Sequence, residues 1–278
     1  MNNSAANKRP LTRAAKANAE LLESMGLHPN MEYGYGRLHR KILLRKQSDT
    51  VIAELEDNCH QFRVRLQHDG VKVCRVGGDA LRYPNTTCPG SVDLLQRLVG
   101  VSLGDGPGAF AKHSNPREFC THLFDLACLA YTHASRPEAT RLYHAVIEDE
   151  NDDFISDARV SIDGRVVIHW HLKQQIVQDE GPAKGVNLHS GFTRWAMASL
   201  TGDELEAGIV LAKANFVAAS RRVDTEAVAG TQLVNGIMPK DICYTYRSPV
   251  MEQAVHLHNS TIDYSDVPEQ MLKFAEIP

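Results

Sequence analysis

Residues 60–68 alternate between two faces: His60, Phe62, Val64, Leu66 and His68 fall on one side of a strand, Gln61, Arg63, Arg65 and Gln67 on the other. Asp69-Gly70 follows at once, a dipeptide suited to the positive φ of a tight hairpin. A period of two closed by such a turn sends the chain back beside itself, and the apolar face must then be covered. The neighbouring segments agree. Residues 38–46 and 51–56 read as strands before it, with Val51, Ala53 and Leu55 on one face, and residues 71–76 as the strand after it. The expectation is an antiparallel meander with helices over its apolar side.

Helical signals follow. Residues 91–99 carry Val92, Leu95, Leu98 and Val99 at helical spacing, and Gly104-Asp105-Gly106-Pro107-Gly108 makes a loop. Asn115-Pro116-Arg117-Glu118 combines an Asn cap, Pro at the first position and Glu at the third. The helix it opens is expected to reach about residue 133, with Cys120, Leu123, Phe124, Ala127, Cys128 and Tyr131 as its stripe. The plan then recurs: a strand over 142–149, a hairpin of 156–162 and 165–173 about Asp163-Gly164, a helix over 191–199, and another opened by Thr201-Gly202-Asp203-Glu204 that runs to about 220. The fold class is α+β: curved antiparallel sheet with helices packed on one face, either an internal duplication (halves 37–140 and 141–222) or a coincidence of similar punctuation. Residues 1–36 form an N-terminal extension with a short helix over 12–25 that wraps the domain or a partner subunit, the alternative for its first ten residues being a disordered tail. The core spans 37–247, and the tail, 248–278, packs on the body or on another subunit.

The chain has 278 residues, 43% hydrophobic content and a net charge of −4. That balance offers no electrostatic argument for nucleic acid or an anionic membrane. No apolar run of ~18 residues suggests a membrane span, and the first ten residues lack the apolar core of a signal peptide. Six cysteines are scattered without a CxxC pair, which argues against a disulfide framework and for a cytoplasmic protein. No Gly-rich phosphate loop and no GxSxG elbow occur, so no cofactor is expected.

Arg82-Tyr83-Pro84-Asn85-Thr86-Thr87-Cys88-Pro89-Gly90-Ser91 reads as a strand end turning into a helix. Pro89 suits the first helical position, which places Cys88 at the positive end of a helix dipole, a setting that stabilises a thiolate. A buried Cys filling a turn is the alternative. This run, with Leu98-Val99-Gly100, Cys120-Thr121-His122-Leu123, His60-x-Phe62, His68-Asp69-Gly70, Asp163-Gly164 and Phe192-x-x-Trp195, resembles a bacterial family known as domain of unknown function 2889, over about residues 38–247. The resemblance implies the fold unit, and an association with aromatic breakdown; the family name carries no activity. Cys88 and Cys120 at helix starts are also similar to the sulfur-relay and iron–sulfur scaffold fold, which implies topology alone. The chain departs from that fold in lacking Gly-Asp after the first cysteine and an adjacent His-Cys pair.

Several side chains compete for a chemical role. Cys88, Cys120 and His122 offer metal donors, but on one helix Cys120 and His122 stand about 200° apart. His60 and His68 share a strand face about 27 Å apart at ~3.4 Å per residue, too far for one small site. His60, preceded by Asp57, Asn58 and Cys59, is the better candidate. In His169-Trp170-His171, Trp170 faces the core with Val166, Ile168 and Leu172, and the histidines share the opposite face with Val167, where they form either a paired imidazole edge or a solvated surface. Arg194, beside Phe192 and Trp195, is an anion anchor or a surface Arg. Thirteen histidines favour proton transfer near neutral pH. The expected function is a cofactor-independent lyase of small-molecule catabolism, cleaving a C–C bond of a lignin-derived aromatic dimer with loss of formaldehyde. In it His60 or His122 is the base, Tyr83 the proton donor and Arg194 the anchor, with Cys88, Trp195, His169 and His171 around the substrate. The alternative is a metal- or sulfur-binding accessory protein using Cys88 and Cys120. The expected partners are a small-molecule substrate and further copies of the chain, with neither nucleic acid nor membrane.

Overall fold

Two meanders build the protein. The first comprises β1 (Arg37–Gln47), β2 (Thr50–Glu56), β3 (Gln61–His68) and β4 (Val73–Arg82); the second comprises β5 (Thr140–Glu148), β6 (Ile155–Ile162), β7 (Arg165–Lys173) and the two-residue β8 (Ile176–Val177). In the computed structural model, which describes residues 10–233 and 238–274, they join into one open antiparallel sheet of order β4-β3-β2-β1-β5-β6-β7-β8. The first strand of each meander pairs with that of the other, Ile42 opposite Tyr143 and Leu38 opposite Ile147.

Register explains the single core. Ile42 lies opposite Leu55, Leu55 opposite Phe62, and on the other side Tyr143 opposite Ile162, so one row of large apolar side chains crosses both halves. α3 (Thr121–Ala134) covers this face over β1–β3, and α5 (Gly202–Ala218) covers it over β1 and β5–β7. The other α-helices among the described residues are α1 (Arg13–Ser24), α2 (Ala109–His113) and α4 (Phe192–Ser199). The α+β class, with helices on one sheet face, is therefore observed.

The opposite face differs between the halves. Over the first meander it carries a buried charge ladder: Glu54 Oε2 accepts from Arg45 Nη2 at 2.5 Å and Oε1 from Arg63 Nε at 2.8 Å. The C-terminal segment seals it. Tyr264 Oη donates to Glu56 Oε1 at 2.5 Å, Lys41 Nζ to the Pro268 carbonyl at 2.7 Å, and Arg63 Nη2 to the Phe274 carbonyl at 2.8 Å. The tail thus packs on its own domain and carries a 3-10 turn, Pro268–Gln270. The N-terminal extension does likewise, Asn18 and Asn30 donating to the carbonyls of Arg222 and Arg221. The expectation for the first nine residues lies outside the described part.

Three elements differ from the sequence reading. The helix over 91–99 is two 3-10 stretches, Cys88–Ser91 and Asp93–Leu98, behind Pro89 and Gly90, which disfavour an α-helix. The helix opened by Asn115 stops after one 3-10 turn, Pro116–Glu118; Phe119 is buried in extended conformation, and α3 restarts with Cys120 as its N-cap. β4 runs through Gly77-Gly78 to Arg82, because Gly78, where a Cβ would meet the Arg63 carbonyl oxygen at 2.4 Å, lets it lie close against β3. A bulge at Val160/Ser161 also turns Val166 out to solvent, away from the core position expected for it.

Candidate active site

The ends of many elements converge at one end of the sheet: the last turn of α1, the β2–β3 connection, the chain after β4, the start of α3, the end of α5 and the tail. Between them lies a cavity of about 360 Å³, within the range of small-molecule sites. Its walls are mostly apolar, with Leu22, Met25, Phe216, Val217 and Ile242 among them.

The polar part of the wall is built on Asp57. Its Oδ1 accepts from the backbone N–H groups of Cys59 and His60, each at 2.9 Å, which closes the β2–β3 turn through a local Asp side chain. The same oxygen accepts from His60 Nδ1 at 2.9 Å. A carboxylate only accepts, so Nδ1 carries a proton, and in the neutral ring Nε2 holds the lone pair. Oδ2 accepts from Arg40 Nη1. Strand alternation places Arg40 between Leu38 and Ile42 on the core face, where it is fully buried. Burial opposes ionisation of Asp57, but the charges of His60 and Arg40 outweigh it and hold the carboxyl far below its ordinary range.

His122, the second residue of α3, stacks on His60 with ring centroids 4.1 Å apart. Burial, then the neighbouring charges of His60 and Arg40, push it well below the usual imidazole value, so it is neutral at neutral pH. Among the described residues its Nε2, and Oδ1 of the cavity-lining Asn85, are buried without a hydrogen-bond partner. Orphaned polar atoms beside an apolar cavity are a signature of a ligand site.

Cys88, Cys120 and Cys243 also line the cavity, as does Tyr246. Burial pushes the Cys88 thiol up to about 11, although Thr245 Oγ1 donates to it at 3.4 Å. Cys120 is raised further by burial and by the neighbouring cysteines. The expected dipole-stabilised thiolate is thus overturned: desolvation outweighs one short 3-10 turn, and the thiols stay protonated. Burial likewise keeps the Tyr246 phenol protonated.

The structure brings His60, His122, Cys88 and Cys120 together and separates the other candidates. Tyr83 does not line the cavity; it is half-buried against the core. Arg194 is exposed on α4, and Trp195 packs edge-on against Trp170 with ring centroids 6.4 Å apart, both away from the cavity. His169 and His171 lie on the opposite sheet face. Alternation along β7 already set the two histidines on the outer face; helix packing, invisible in one dimension, decides Tyr83, Arg194 and Trp195. The guanidinium at the cavity is that of Arg222, already paired with Glu150 Oε2 at 3.0 Å. Because α3 starts at Thr121, Cys120 and His122 are no longer opposed across a helix; even so, they do not combine with Cys88 into a three-donor cluster, the one such group among the described residues being Asp157, His169 and His171. Arg40 and Tyr246 escaped sequence reasoning. Arg40 had a signal, a charge inside the alternation Leu38, Ile42, Leu44; Tyr246 had none.

No helix among the described residues is long and apolar enough to cross a membrane. Comparison with protein-family models found no match, and none of the curated proteins matches; the likeness to domain of unknown function 2889 rests on the sequence motifs quoted above.

Proposed function

We propose that this chain is a cytoplasmic, cofactor-independent lyase that cleaves a C–C bond of a small aromatic compound by general acid–base catalysis. The observation that carries the reading is the buried Arg40–Asp57–His60 chain ending at an apolar cavity beside neutral His122. Asp57 orients His60 and fixes which ring nitrogen can face the cavity, the arrangement required of a base that must accept and return a proton. The apolar walls suit aryl groups, and the volume suits a compound of one or two rings.

The substrate class is a lignin-derived dimer bearing a hydroxymethyl group on a carbon whose neighbour carries an aryl ether, as in a phenylcoumaran, or a hydroxyl, as in a diarylpropane. His60 Nε2 takes the hydroxyl proton. The C–O bond becomes the carbonyl of formaldehyde, the electrons of the cleaved C–C bond form a C=C bond to the neighbouring carbon, and the oxygen on that carbon leaves as the phenol or as water. Tyr246, in place of the expected Tyr83, or protonated His60 returns the proton to that oxygen. Incubation with phenylcoumaran- and diarylpropane-type dimers should release formaldehyde. His60→Ala should lower kcat by roughly 10²–10⁴-fold, whereas Cys88→Ser should leave it within about threefold, as expected of a thiol outside the proton-transfer chain. Absence of turnover across the dimer panel would reject the substrate class.

A further inference from the structure

The outer face of the second meander, away from the cavity, carries a cluster that the lyase chemistry does not use. Asp157 on β6 lies directly opposite His171 on β7, and His169 sits two residues earlier on the same face of β7. Asp157 Oδ2 lies 2.6 Å from His169 Nε2 and 3.8 Å from His171 Nε2. One donor atom from each of the three residues falls within 4.8 Å of the others. Donors bound at ~2.0–2.1 Å around a tetrahedral ion stand about 3.3 Å apart, so small rotations about existing positions suffice to enclose one.

The surrounding groups favour the same outcome. His171 Nδ1 bonds Asp179 Oδ1 at 2.8 Å, and Asp179 Oδ2 accepts the His171 backbone N–H at 2.5 Å. A carboxylate on the far nitrogen orients a metal-binding imidazole and presents Nε2 as the ligand. Arg159 Nη1 occupies Asp157 Oδ1 at 3.0 Å, which leaves Oδ2 toward the histidines. Two imidazoles and a carboxylate are a donor set for zinc-class ions rather than calcium or magnesium. The histidines are exposed, so a fourth position faces solvent.

We infer that Asp157, His169 and His171 form a binding site for one divalent first-row ion of the zinc class, held by Asp179 behind it and left with one outward coordination position. The ion would tie β6 to β7 where the sheet thins to two-residue β8.

The test uses the full chain, free of any affinity tag and stripped with a chelator, titrated with Zn²⁺ against a chromophoric competitor. One equivalent should bind, and the melting temperature should rise with added Zn²⁺. Asp179→Asn should weaken binding by ~10–100-fold, and His169→Ala with His171→Ala should abolish it. The two histidines are exposed, so melts of the double variant in chelator should match the parent protein; Asp157→Asn, an isosteric change at a ligand, should also abolish binding. Co²⁺ should give a visible ligand-field spectrum that the double variant lacks. Absence of stoichiometric binding, or affinity unchanged in the double variant, would overturn the assignment.

Discussion

Asp57 shows how much one side chain can organise. It closes a turn, fixes a histidine tautomer and neutralises a buried guanidinium. Asp57→Asn retains the shape but leaves Arg40 buried and unpaired, so denaturant unfolding should show a loss of about 3–5 kcal/mol. The titration of buried groups has a worked sign. Burial lowers His39 and His144 to about 4 each, and holds His122 well below the usual imidazole value. Unfolded histidines take a proton at about 6.5. Between about 6.5 and 4 the unfolded state therefore binds more protons, and stability falls as pH falls. Asp57 adds a loss below the unfolded carboxylate value of about 3.9, because its folded value is depressed. Urea midpoints measured from pH 7.5 down to pH 5 should decline, and His39→Gln with His144→Gln should flatten the decline; an unchanged slope in that variant would contradict the account.

At the scale of elements, close approaches set where segments begin and bend. A Cβ on Gly78 would lie 2.4 Å from the Arg63 carbonyl oxygen, a backbone atom that cannot swing aside. Gly78→Ala should force β4 off β3 and cost about 1–3 kcal/mol, with hydrogen exchange quickening in β4 first. The start of α3 depends on Ser91, whose Oγ accepts the Cys120 N–H at 2.5 Å. Ser91→Ala leaves that donor buried and unpaired, a loss of about 1–3 kcal/mol that chemical denaturation measures. Because Cys120 and His122 sit at this junction, the same change should also disturb the cavity.

For the whole molecule, the tail is part of the fold. Residues beyond 247 supply His256, Leu257, Ser260 and Thr261 to the cavity wall, and Tyr264 and the Leu272 N–H to Glu56. A chain ending at Arg247 loses two bonds to a buried carboxylate, roughly 3–6 kcal/mol at ~1.5–3 each. It should unfold at lower urea and show no formaldehyde release. Retention of both properties would show the tail to be dispensable.

Periodicity and turn chemistry, which are local, carried most of the architecture: the alternation through Phe62, Val64 and Leu66, the Asp-Gly turns and the recurring order of strands and helices were all present in the linear chain. They also singled out His60, through its place at a strand end after Asp57. Only the tertiary structure decided which candidates meet. It brought α3 in over β3 so that His122 stacks on His60 and laid the irregular segment carrying Tyr246 against the cavity. Those outcomes depend on how helices and a distant tail dock on the sheet, and docking is set by burial summed over many residues far apart in sequence.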